Sequence, residues 1–262
     1  MKMFIVDSFT DKIYKGNPAA VCLIEKKLNE LEYQNIAMEM NLSETAFLLK
    51  KSENVYDLRW FTPEEEVNLC GHATLASAHI LWEQGIAAKN LPISFNTLSG
   101  VLSAKYEQDW ITLDFPAQNP VESKGDPDLL EAIPGDKISI LEDELSYIII
   151  MKNEEDIREM NPDFDLLYKT RKKEVIVTAL SENPEYDFVS RFFGPAIGIK
   201  EDPVTGSAHC YLAPYWSGIL GRKDLTGYQA SRRGGFVHCT VVGDRVLLKG
   251  KACTFLSGDI VQ

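Results

Sequence analysis

The sequence predicts an α+β protein of two similar lobes, each a curved, β-barrel-like sheet around one central helix. Three observations carry that reading. First, Leu69-Cys70-Gly71-His72-Ala73-Thr74-Leu75-Ala76-Ser77-Ala78 is echoed by Val204-Thr205-Gly206-Ser207-Ala208-His209-Cys210-Tyr211-Leu212-Ala213. Each segment sets a glycine and a polar side chain at the start of a small-residue helical run. Second, the rest of the chain reads mostly as short β-rich runs. Third, both motif helices are apolar nearly all round, as expected of a helix wrapped by a sheet rather than laid on a surface. A doubly wound parallel sheet would need regular strand–helix alternation, which the pattern lacks.

The elements follow in order. Phe4–Phe9 and Ala19–Ile24 are β-rich and flank a Lys-Gly-Asn-Pro turn at 15–18. Glu30–Met40 has helical spacing, with Leu31, Ile36, Ala37 and Met40 as its apolar face. Thr45–Leu49 and Val55–Phe61 are strand-like. Gly71–Glu83 is the first motif helix, closed by Gly85. Ile93–Asn96, Val101–Tyr106 and Trp110–Phe115 are strands separated by turn residues. Pro116–Pro127 has no apolar period and is the best boundary. It divides the chain into an N-terminal lobe, 1–117, and a C-terminal lobe, 118–262, allowing the last residues to return to the first.

The second lobe begins with strands at Ile138–Leu141 and Tyr147–Met151, then a polar helical stretch at Pro162–Thr170. Strands at Glu174–Leu180 and Phe188–Phe193 lead to the second motif helix, Gly206–Ser217. Tyr228–Ser231, Gly235–Val242 and Arg245–Lys249 close the lobe, with a hairpin turn at Gly243-Asp244.

Composition narrows the function. With 27 basic and 39 acidic residues among 262, the formal charge is −12. No basic stripe offsets it, which argues against nucleic acid or an anionic membrane as partner. No run approaches a membrane span, and no signal segment opens the sequence. Five cysteines without a CxxC fit reduced thiols in a cytoplasm. Any anion site must therefore be local. A helix start offers one, because its first N–H groups are unpaired and its dipole is positive there. One such start in each half suggests a cleft that holds a small carboxylated metabolite between Gly71 and Gly206.

The same segments, taken together, resemble the PhzF-like isomerases of the diaminopimelate-epimerase fold, the family named for phenazine biosynthesis. The resemblance runs through Gly16-Asn17-Pro18-Ala19-Ala20-Val21, Leu42-Ser43-Glu44-Thr45-Ala46-Phe47 and Arg59-Trp60-Phe61-Thr62-Pro63. It continues through Cys70-Gly71-His72-Ala73-Thr74, Glu201-Asp202-Pro203-Val204-Thr205-Gly206-Ser207-Ala208-His209 and Gln229-Ala230-Ser231-Arg232-Arg233-Gly234-Gly235. It implies a cofactor-independent isomerase with its active site between the lobes, commonly a homodimer. It also implies that Glu44 moves the proton, assisted by His72, Asp202 and Ser207.

Each of these residues also has a plainer reading. Glu44 fits a proton shuttle if burial brings its pKa toward the working pH, and otherwise a surface or capping carboxylate. His72, in the first turn of its helix, could donate to a substrate, relay a proton or simply hold structure. Asp202 and Ser207 could contact a substrate amine, hydroxyl or carboxylate, or act as N-caps. Asn17 binds substrate or shapes its turn. Arg232-Arg233 attracts an anion or is a solvated hairpin. No zinc spacing is present, since His72 and His79 lie seven apart on one helix without a nearby cysteine pair or carboxylate pair. Nor is there a GxGxxG or P-loop motif for a nucleotide.

Cys70 separates two chemistries. Thiol–thiol racemases of this fold carry a cysteine before the glycine in both motifs, whereas here the second position is Thr205. Thr205 is a poor replacement for a thiol acid, which disfavours two-base racemisation. A single carboxylate suits return of the proton to another carbon on the same face, which moves a double bond. Cys70 then reads as a packed small residue. The alternatives are an epimerase using Glu44 or Cys70, and a non-catalytic member that binds small molecules or proteins.

Overall fold

The structure, a computed structural model, describes residues 1–261 and is α+β. It divides into two compact units, 1–115 with 247–262, and 116–246.

In the first unit, β1 (Lys2–Ser8), β2 (Asn17–Ile24), α1 (Glu30–Met40), β3 (Glu44–Ser52), β4 (Val55–Phe61) and β5 (Glu66–Val67) lead to α2 (Gly71–Glu83). β6 (Ile93–Thr97), β7 (Gly100–Glu107) and β8 (Trp110–Pro116) follow. β1 pairs antiparallel with β2, β2 parallel with β3, and β3 antiparallel with β4. β4 pairs parallel with β6, and β6 antiparallel with β7. α2 forms the crossover between β4 and β6 and packs against β1, β2 and β3. Of its thirteen residues only His79 and Glu83 are not buried. The small side chains of Gly71, Ala73, Ala76, Ser77 and Ala78 suit close approach of the strands. α1 packs on a separate cluster, where Tyr33 and Ala37 meet Cys22, Ile24, Phe47 and Phe61. Its start is fixed by a capping box between Asn29 and Glu32. The expected apolar face of α1 is shifted, because Leu31 is 68% exposed and Tyr33 takes its place. The Tyr33 ring stacks on Phe61 at 5.3 Å, a contact helical periodicity does not encode.

The second unit repeats the pairing order. Its elements are β9 (Val121–Ser123), α3 (Pro127–Ala132), β10 (Lys137–Glu142), β11 (Ser146–Met151), α4 (Glu154–Arg158) and α5 (Phe164–Leu167). Then come β12 (Glu174–Leu180), β13 (Phe188–Gly194), a short 3-10 turn at Pro195–Ile197, β14 (Ile199–Asp202) and α6 (Gly206–Leu220). β15 (Asp224–Gln229) and β16 (Gly235–Val242) complete the unit, and β17 (Arg245–Gly250) starts at its end and runs on into residues of the first. β10–β11 is antiparallel, β11–β12 parallel, β12–β13 antiparallel, β13–β15 parallel and β15–β16 antiparallel. This is the sequence of orientations found from β1 to β7. α6 occupies the crossover equivalent to that of α2, between β13 and β15. It packs Ala208, Tyr211, Leu212 and Trp216 against Ile148, Ile150, Ile176 and Phe188. β5 and β14, each hydrogen-bonded to the strand before it, lead into the two motif helices alike.

Several boundaries depart from the sequence reading. β15 begins at Asp224 rather than Tyr228, because the strand runs straight through Gly227. A Cβ there would lie 2.6 Å from the Phe188 ring and 2.8 Å from His209 Nε2, so the glycine marks close packing, not a turn. The helical stretch at 162–170 shrinks to α5, and α3 and α4 are additional. Within the expected boundary segment, β9 forms and Asp126 caps α3 with Pro127 at its first position. Finally β18 (Ala252–Asp259), which the sequence pattern did not reveal, pairs antiparallel with β1 and belongs to the first unit.

Candidate active-site residues

The first unit gathers Glu44, Cys70 and His72. Glu44 opens β3 beside Ala19 of β2. Cys70 is the residue before α2, and His72 is the second residue of that helix. Their side-chain ligand atoms all lie within 4.8 Å of one another. Glu44 Oε2 is 3.2 Å from His72 Nε2, with side chains only 13% and 5% exposed. That contact is not aligned as a hydrogen bond, and no other partner meets the buried Nε2. On the other edge of the ring, Cys70 Sγ is 3.5 Å from Nδ1. Burial pushes the His72 pKa down to about 3, so the ring is neutral at ordinary pH.

The surrounding backbone is held firmly. Ser8 Oγ donates to the His72 carbonyl at 2.8 Å. Asn17 is fully buried and faces Ser8 across the β1–β2 pair. Gly16, before it, has φ +63°, and a Cβ there would strike the Ser8 carbonyl oxygen at 2.0 Å. Cys70 makes no side-chain cap, and the first turn of α2 holds no acidic residue. The positive helix end at Gly71 therefore carries no carboxylate of its own helix.

The second unit gathers Asp202, Thr205, Gly206, Ser207 and Gln229. Asp202 ends β14 and is buried, whereas Ser207 is exposed in the first turn of α6. Gln229, fully buried at the end of β15, was missed by sequence reasoning. Its Oε1 accepts from the Thr205 N–H at 2.8 Å, which fixes the amide orientation. Its Nε2 then donates to the Asp202 carbonyl at 2.7 Å and to Thr205 Oγ1 at 3.1 Å. The Thr205 hydroxyl, already accepting, donates to Asp202 Oδ2 at 2.5 Å. Thr205 thus orients the Asp202 carboxylate instead of replacing a thiol. Ser231 Oγ donates to the Pro203 carbonyl at 2.8 Å and ties the Arg232-Arg233 loop beside Asp202. α6 also lacks a side-chain cap and first-turn acid. His209, one turn on, donates from Nδ1 to the Thr205 carbonyl at 2.8 Å, and burial lowers its pKa to about 4.

Glu44, Cys70 and His72 are also the group among the described residues best suited to a metal, which the sequence spacing did not reveal. In the observed rotamers the sulfur lies at Nδ1 and the carboxylate at Nε2. A groove of about 360 Å³ beside α1, lined by Glu30, Tyr33, Phe47 and Arg59, contains none of these residues. Arg59 there is already paired with both Glu30 and Glu66, at 2.6 Å each.

Residues 6–258 match the model of the phenazine biosynthesis-like protein family, PhzC-PhzF. The chain belongs to this family. An uncharacterized isomerase of Halalkalibacterium halodurans is 45% identical over 260 residues, covering 99% of this chain and 98% of that one. A crystal structure of a PhzF-family phenazine biosynthesis protein of Enterococcus faecalis is 41% identical, with a TM-score of 0.94 over 100% and 99% of the two chains. A probable proline racemase of Agrobacterium radiobacter, at 9% identity and a TM-score of 0.65 over 99% and 92%, shares the fold alone. No helix among the described residues is long and apolar enough to cross a membrane.

Proposed function

We propose that this family member is a cofactor-independent isomerase that moves a proton, and with it a double bond, within a small carboxylated metabolite. The isomerase class rests on family membership and on relatives that carry that name. Glu44 is the general acid and base. The observation that carries this is the Glu44 carboxylate beside the buried Nε2 of His72, at a helix start with no carboxylate of its own. A carboxylate so placed can take a proton from carbon and return it to another carbon of the same face. His72, held neutral by burial, serves as a hydrogen-bond donor without becoming a competing acid. The N–H groups at Gly71 and Gly206 suit the substrate carboxylate, with Ser207 donating alongside. Asp202, oriented by Thr205, accepts from a substrate amine or hydroxyl, and Asn17 shapes the floor near His72. The active form we propose is a homodimer.

A second reading has support from one contact. Cys70 lies within the Glu44 cluster, so an epimerase pairing the two groups is the alternative. One experiment separates them. A pool of unsaturated and amino-acid-derived carboxylates is screened by proton NMR in deuterium oxide with the wild type, Glu44→Gln and Cys70→Ser. Glu44→Gln keeps the shape of the side chain but cannot accept the proton, so turnover should fall by about 10²–10⁴-fold. Cys70→Ser should retain most activity, with deuterium appearing at the far carbon of a shifted double bond. Loss of turnover in Cys70→Ser with an active Glu44→Gln, or inversion at one carbon, would establish the epimerase instead.

A further inference from the structure

We infer that Cys70 is a positioning residue that fixes the tautomer of His72, its thiol holding Nδ1 so that the ring proton sits on Nε2 toward Glu44. The inference rests on the role proposed for Glu44 for its catalytic meaning, though not for its test. The geometry is direct. Sγ meets Nδ1 at 3.5 Å and Glu44 Oε2 lies 3.2 Å from Nε2, on the opposite side of the ring. A neutral imidazole has one proton to place between two nitrogens. A carboxylate oxygen repels the lone pair of a bare Nε2 and attracts an N–H. A thiol can donate to a bare Nδ1, whereas its sulfur is a weak acceptor. Both edges of the ring therefore favour the same tautomer. Burial, which keeps the ring neutral, makes the choice matter across the working pH range.

The molecule supplies its own contrast. His209 occupies the helix start of the second unit, but its Nδ1 faces the Thr205 carbonyl at 2.8 Å. A carbonyl only accepts, so His209 carries its proton on Nδ1. The two buried histidines are thus set to opposite tautomers by what stands against Nδ1. A packed alanine at position 70 would fill nearly the same space without making that choice. This accounts for a thiol at a position where a shift by a single carboxylate requires no sulfur chemistry.

The test is long-range ¹H–¹⁵N NMR of the side-chain nitrogens of the ¹⁵N-labelled full chain near neutral pH, without substrate. We expect a protonated, pyrrole-type Nε2 for His72 and a protonated Nδ1 for His209. In Cys70→Ala the His72 signals should move to the averaged positions of a tautomer mixture, while those of His209 stay put and report an intact fold. Cys70→Ser, whose hydroxyl can donate, should restore the Nε2–H form. An Nδ1–H form of His72 in the wild type, or unchanged His72 signals in Cys70→Ala, overturns the inference. The readout needs no turnover, so its failure leaves the isomerase reading standing. Full activity of Glu44→Gln would remove that reading and leave the tautomer assignment intact.

Discussion

His72 and His209 are neutral bases sealed at two helix starts, and that has a thermodynamic cost at low pH. Their pKa values, about 3 and about 4 in the folded chain, lie below the ordinary value of 6.5. Between these limits the unfolded chain binds protons that the folded chain refuses, so folded stability rises with pH. Their contribution is complete above about pH 7 and is lost progressively as pH falls below 6.5. At pH 5 each fully buried ring weakens the fold by about 2 kcal/mol relative to neutral pH. Urea unfolding of the wild type and of His72→Gln from pH 7 down to pH 4.5 checks this. The wild type should lose stability more steeply, and equal slopes would show that His72 protonates as easily folded as unfolded. At the same scale, the polarity of the Gln229–Thr205–Asp202 chain sets what Asp202 can do. Its Oδ2 is an acceptor of the Thr205 proton, which suits a group that receives a hydrogen bond rather than giving one.

At the scale of the element, α6 depends on one missing methyl group. Gly227 lets β15 approach so closely that Phe188 and His209 both lie within van der Waals distance of its Cα hydrogens. Gly227→Ala should cost about 1–3 kcal/mol of stability through overpacking. It should also displace His209, which reads out as a lower thermal midpoint and shifted His209 resonances. A midpoint unchanged from the wild type would mean that the strand relaxes freely at this point. The same glycine shows why part of the fold was legible and part was not. The motif helices could be read because small apolar residues recur through several turns, and the strands because β-branched runs are local. Gly227 falls just outside the strand predicted from Tyr228, since the ring it accommodates lies far away in sequence. α3, α4 and α5 span six, five and four residues, too short to show a period.

At the scale of the molecule, the repeated order of parallel and antiparallel pairs explains why two decapeptides could announce the architecture. In each unit the motif helix fills the same crossover, so the sequence echo marks equivalent places in equivalent sheets. The site residues were legible only as far as the family motifs reached. Glu44, His72, Asp202 and Ser207 could be named, and the structure brings the first two together in one unit. The role of Gln229, although it opens one of those motifs, and the sulfur contact of Cys70 could not be read. Gln229 meets Thr205 only through the packing of β15 beside α6, and an orientation about a histidine ring leaves no trace in spacing. β18 also escaped, because its middle residues Phe255, Leu256 and Ser257 are exposed and show no clean alternation.

That strand has a bearing on how the chain is made. β1 lies between β2 and β18, so its second neighbour emerges from the ribosome only after the whole of unit 116–246 has been synthesised. Until then the nascent first unit presents β1 as an open edge, a template for pairing with other chains. A chain stopped after Val246 should therefore appear mainly in the insoluble fraction on expression. Adding a separate peptide of residues 247–262 during refolding should recover soluble protein, measured by centrifugation and size exclusion. A stopped chain that is soluble and monomeric unaided would show that the edge is covered in some other way. Translation speed through the middle of the message then becomes a folding variable. Slow codons there would prolong the exposure of β1, and a chaperone that shields strand edges would be needed longest while the second unit is still being built.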